Sequence, residues 1–89
     1  MVQLPVPKSI NCKNILKSLK PSKDVDCLEP SNYAKFLMNL EKSEIMPCTA
    51  QAALHILDEY KINVEGLNTV IIGNKFIIMV ISLMITNRG

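Results

Sequence analysis

The stretch that most constrains this chain is Phe76 to Ile85, FIIMVISLMI, in which nine of ten residues are apolar. No helical face of it is left polar, so the run is predicted to be buried rather than to lie on a surface with one apolar stripe inward. A membrane-crossing helix needs about 20 apolar residues, and Asn74 and Lys75 interrupt any extension toward Thr69. Burial within a larger protein is the expectation. The competing one is a tail that associates with a membrane or a partner protein through residues 76–85. At 89 residues and 48% hydrophobic content the chain is globular in composition, with room for one small domain or a piece of one.

The charge excludes one large class of partner. Ten Lys and Arg stand against eight Asp and Glu, a net +2, too little for a phosphate-backbone footprint. Residues 1–30 carry five Lys against three acids, residues 31–67 three Lys against five, and residues 68–89 only Lys75 and Arg88. With Tyr33, Phe36, Tyr60 and Phe76 as the aromatics there is no stacking platform for single strands, and nucleic acid is not an expected partner. Cys12, Cys27 and Cys48 are odd in number and spaced unlike a zinc knuckle or a disulfide scaffold. They read as reduced thiols of a protein of the cytoplasm or an organelle matrix. The first residues, MVQLP, lack the basic segment and apolar run of a secretory signal.

Along the chain, MVQLPVP reads as the end of a short strand stopped by Pro5 and Pro7. From Asn11, the spacing of Ile15, Leu16 and Leu19 predicts a short helix that Pro21 ends. PSKDVDCLEPS, residues 21–31, reads as a loop. Ser31 and Asn32 are expected to cap a second helix that buries Tyr33, Phe36, Leu37 and Leu40, followed by a charged connection over 41–45. Thr49 is expected to cap a third helix over residues 50–60, with Ala53, Ile56, Leu57 and Tyr60 inward. Past Gly66, TVII at 69–72 is predicted to be a buried strand ending at Gly73.

Few residues carry chemistry. His55, the single histidine, is predicted to face solvent, four residues before Glu59, with no second metal ligand in sight; no metal is expected. Asp24 and Asp26 flank Val25, and in an extended loop alternate side chains point the same way. Two converging carboxylates suit a ligand presenting a fork of N–H donors; ordinary turn chemistry is the simpler account. A strand running into Gly73 and then an apolar segment outlines a dinucleotide-binding βα unit, but Met79 and its large neighbours obstruct close approach of a pyrophosphate.

In order, Val2-Gln3-Leu4-Pro5-Val6-Pro7, Lys23-Asp24-Val25-Asp26-Cys27-Leu28-Glu29-Pro30 and Pro47-Cys48-Thr49-Ala50 resemble VQLPLP, KDVDGFHP and PCTP. These are motifs of the bifunctional methylenetetrahydrofolate dehydrogenase/methenyltetrahydrofolate cyclohydrolase, or FolD-type, family. The resemblance implies an α/β fold in which this stretch joins the end of the folate-binding catalytic domain to the first βα unit of a Rossmann-like NADP domain. Residues 1–46 would close the catalytic domain, residues 47–65 form a bridging helix and link, and residues 66–89 begin the NADP domain.

The family's reaction is NADP-dependent oxidation of 5,10-methylenetetrahydrofolate to the methenyl form, then hydrolysis to 10-formyltetrahydrofolate, by homodimers. Carried over, Gln3 would orient the catalytic lysine, Asp26 would bind the amino-pyrimidinone edge of the pterin, and Pro5 and Pro7 would shape the pocket wall. Gly73, with Lys75 supplying one charge, would meet the cofactor. That lysine belongs to a Tyr-x-x-x-Lys motif that the 89 residues do not contain. The family's GRSxxVGxP stands here as Gly73-Asn74-Lys75-Phe76-Ile77-Ile78-Met79-Val80-Ile81, Cys27 replaces a glycine, and Glu29 a histidine. The chain alone is therefore expected to be inactive.

Overall fold

A computed structural model of the chain describes residues 1–73 and 75–89, Lys75 by its backbone alone. They fall into two units, Met1–Met46 and Pro47–Gly89. In the first unit α1 spans Cys12–Ser18. The Asn11 side chain accepts the Asn14 amide at 3.2 Å and so satisfies one of the N–H groups left over at a helix start. The Leu19 amide closes the last turn on Ile15, and Pro21 opens a short 3-10 turn, Pro21–Lys23. Ile15, Leu16 and Leu19 are half-buried, as their spacing predicts.

The second helix, α2, spans Pro30–Asn39. Its cap is Glu29, not Ser31 or Asn32: the Glu29 carboxylate accepts the Asn32 amide at 2.9 Å. Pro30 occupies the first helical position, where a missing N–H costs nothing. Phe36 is fully buried and Tyr33 half-buried, their ring centroids 6.1 Å apart, whereas Leu37 is exposed. A 3-10 turn, Leu40–Lys42, follows.

In the second unit α3, Cys48–Glu59, starts after Pro47 without a side-chain cap, so the role expected of Thr49 is not taken up. Its buried stripe is also rotated from the predicted one. Ala50 and Leu54 are buried and Ala53 and Leu57 half-buried, while Ile56 and Tyr60 lie exposed. Apolar residues surround much of this helix, so the 3.6-residue period admits two neighbouring stripes, and packing on α4 selects one. The apolar run Phe76 to Ile85 lies within α4, Lys75–Asn87. It buries one stripe rather than all sides: Val80 and Met84 are fully enclosed, Ile77 and Ile81 partly, and Phe76, Met79 and Leu83 are exposed.

No β-strand occurs among the described residues, which corrects the strands expected at residues 1–7 and 69–72. A strand exists only where a neighbour's backbone pairs with it, and none lies beside TVII: Val70 is 86% and Ile72 95% exposed. No βα unit is formed among the described residues. Among the described residues no helix is long and apolar enough to cross a membrane, α4 included.

The connection between α3 and α4 is ordered by short-range chemistry. Val64 accepts the Leu67 amide at 3.1 Å around Gly66, whose φ of +72° is what the third residue of a type II turn requires. The guanidinium of Arg88 grips the Asp58 carboxylate with both nitrogens, at 2.7 and 3.0 Å, linking the ends of the two helices. That bond holds the exposed Asp58 carboxyl below its ordinary range. Because Met84 is enclosed and Ile72 is not, Met84→Ala is expected to lower the stability of this unit in urea unfolding by about 2–4 kcal/mol. Ile72→Ala should change it by less than about 0.5 kcal/mol.

Candidate functional site: the Asp24 to Asn32 turn

The segment predicted as a plain loop is organised around one buried carboxylate. Asp24 is 4% exposed. One of its oxygens accepts the amides of Asp26 at 3.3 Å and Leu28 at 3.1 Å; the other accepts the amide of Glu29 at 3.0 Å and the Asn32 side-chain amide at 3.1 Å. Asn32 also donates to the Pro21 carbonyl at 2.9 Å. The turn is thus tied to the 3-10 turn before it and to α2 after it. An aspartate does this because its short side chain reaches back to amides a few residues on, and an ionised carboxylate has acceptor sites for four donors.

Burial pushes the Asp24 carboxyl up, but the hydrogen bonds from Glu29, Asn32, Leu28 and Asp26 together outweigh it and hold the group below the usual aspartate range. Glu29 is likewise lowered, first by the Ser31 hydroxyl that donates to it and then, against a desolvation cost, by the backbone amides of Asn32 and Ser31.

The two carboxylates weighed in the sequence therefore do different things. Asp24 points into its own turn, whereas Asp26 is half-buried at the surface of it. Between Asp26 and Leu28 the chain passes through Cys27 at φ +58°, with its side chain fully buried. The left-handed region costs a residue with a Cβ about 1–2 kcal/mol, which explains why a glycine fits the motif here and shows what the bonds to Asp24 hold in place.

The remaining predicted residues are not gathered with Asp26 by any bond described. Gln3 is exposed and its amide contacts the neighbouring Leu4 carbonyl at 3.4 Å. Pro5, joined to Leu4 by a cis peptide, and Pro7 are also exposed. Two surface cavities, one of about 390 Å³ beside Asn32, Lys35 and Lys42 and one of about 320 Å³ beside Asp58, Lys61 and Arg88, are lined by none of Gln3, Pro5, Pro7 and Asp26. His55 stands exposed, 3.9 Å from Glu59. Among the described residues no group of three or more His, Cys, Asp and Glu side chains is placed to hold a metal ion.

At the expected cofactor turn, Asn74 and the side chain of Lys75 lie outside the described residues. Gly73 is an exposed bend, and a Cβ built on it would meet only Ile78 at 3.5 Å, an ordinary contact. Met79, at the place of the motif's second glycine, projects a large side chain from α4.

Comparison with known proteins accounts for the motif order. The chain is 37% identical over 78 residues to "Bifunctional protein FolD" of Ruminiclostridium cellulolyticum, covering 88% of this chain and 27% of that protein. It is 41% identical over 78 residues to the FolD protein of Lactobacillus delbrueckii subsp. bulgaricus, with the same coverages. The FolD protein of Thermodesulfovibrio yellowstonii matches at 37% over 90 aligned positions, 100% of this chain and 31% of that one. The sequence matches a FolD-type segment. It spans about a quarter to a third of the length of these relatives. No protein-family model matches it, and no solved structure does.

What sequence reasoning missed in this FolD-type chain is the division of labour between Asp24 and Asp26, and the capping role of Glu29. The available signal was an acidic residue directly before Pro30, since proline favours the first helical position. Asp24→Ala is expected to cost the first unit about 2–3 kcal/mol in urea unfolding, because it strands several buried donors at once. With its pKa lowered in the folded state, Asp24 binds a proton more readily when unfolded; its contribution is complete above the unfolded-state pKa and is lost as pH falls through the folded one. Acid unfolding followed between pH 5 and 2 should show this loss, and Asp24→Ala should flatten it.

Proposed function

We propose that these residues form the folate-facing turn of a FolD-type methylenetetrahydrofolate dehydrogenase/methenyltetrahydrofolate cyclohydrolase, and that the 89 residues do not catalyse its reactions by themselves. The observation that carries the reading is Asp26, half-buried on a turn whose backbone is fixed by buried bonds, inside a sequence 37–41% identical to FolD proteins. A carboxylate so presented pairs with the ring N–H and amino group of an aminopyrimidinone, two parallel donors matched to its two oxygens. Gln3, Pro5 and Pro7 take their roles from the same resemblance: Gln3 orients the family's catalytic lysine, which the 89 residues do not contain, and the prolines line the pocket.

In the relatives' reactions this segment contributes substrate recognition. The lysine motif expected to move the proton in the hydrolytic step does not occur within the 89 residues, so recognition and proton transfer are separable here. NADP use comes with the family resemblance, as does the Rossmann-like placement of residues 66–89. Gly73 and Lys75 take their place beside the cofactor from that resemblance alone.

Two measurements test this reading. The purified 89-residue chain, given 5,10-methylenetetrahydrofolate and NADP, should form no methenyl product above a protein-free blank; turnover overturns the claim of inactivity. Folic acid, which carries the same aminopyrimidinone edge, should shift the backbone amide signals of residues 24–29. Asp26→Asn should weaken that binding about tenfold, the size expected for a charge-assisted hydrogen bond. Equal affinity in the two proteins removes the proposed contact.

A further inference from the structure

We propose that Asp24 is a positioning residue for Asp26: by binding the amides of the Asp26 to Glu29 turn it sets the direction from which the Asp26 carboxylate meets a folate. This rests on the reading of Asp26 as the folate contact and adds a residue that the ligand never touches.

Three observations carry it. The Asp24 carboxylate bonds the amide of Asp26 itself, so the peptide plane from which that side chain departs is fixed by a buried group. The same carboxylate holds the amides of Leu28 and Glu29 on the far side of Cys27, and the left-handed φ of Cys27 makes the chain reverse between them. Without that hold an L-residue at position 27 moves toward the extended region, and the reversal opens. Finally, Asn32 bonds both Asp24 and the Pro21 carbonyl, so the turn is referenced to α2 and to the preceding 3-10 turn rather than drifting with the loop. Pairing with two parallel donors demands orientation within about 10–20°, which a fixed peptide plane supplies and a mobile loop does not.

Asp24→Asn keeps one acceptor for Asp26 and Leu28 but places an amino group against the Glu29 and Asn32 donors. Folic acid affinities of the wild type, Asp24→Asn, Asp26→Asn and the double variant form a cycle, read by amide shifts in 15N-labelled protein. Asp24→Asn is expected to weaken binding about tenfold in the presence of Asp26 and to have no further effect in Asp26→Asn, since a positioning residue acts only through the group it positions. The amides of Asp26, Leu28 and Glu29 should shift in the free variant while those of α3 stay in place.

If Asp24→Asn does not fold, Asn32→Ala removes a single donor from the cage and should give the same dependence on Asp26 with a smaller loss, about threefold. Weakening of equal size with and without Asp26 overturns the proposal, as does unchanged affinity in a folded Asp24→Asn or Asn32→Ala protein. Either result leaves the Asp26 contact standing if Asp26→Asn alone still loses affinity. A wild-type chain that does not bind folic acid overturns both readings together.

Discussion

One ionised carboxylate, buried among four donors, is the interaction on which the first unit depends. Asp24 satisfies amides that the turn would otherwise leave without partners, ties α2 to the 3-10 turn before it, and holds a non-glycine residue at a positive φ. Few apolar side chains in this unit are fully enclosed, Cys27 and Phe36 among them. Polar satisfaction therefore carries a larger share of its order than in a domain with a deep core, and each missing hydrogen bond weighs more.

Helix positions were legible because they follow from local rules. Asn11 ahead of a one-faced helix, Pro21 after it and the apolar spacing of residues 50–60 all correspond to helices in the structure. The inward face of α3 was not legible, since Ala50, Ala53, Leu54, Ile56 and Leu57 leave two stripes open and only the position of α4 decides between them. The strand at 69–72 was misread for a related reason. β-branched residues state a preference, but a strand is a relation between two segments, and no partner segment is present among the described residues.

The candidate site divides along the same line. The Asp-x-Asp spacing was visible, and the family motif pointed to Asp26, yet the different tasks of the two aspartates depend on which one the turn encloses. Glu29, a departure from the motif's histidine, works locally as the cap of α2. Cys27, a departure from its glycine, takes a left-handed φ of +58°, a conformation that glycine adopts without strain.

The bonds of Asp24 reach two, four, five and eight residues along the chain, whereas the Arg88 to Asp58 grip closes thirty. Closing a longer loop gives up more chain entropy, and contacts near in sequence are found soonest in folding. The turn that presents Asp26 is therefore closed within one short stretch of chain, at a lower entropic cost than the loop that brings the ends of α3 and α4 together.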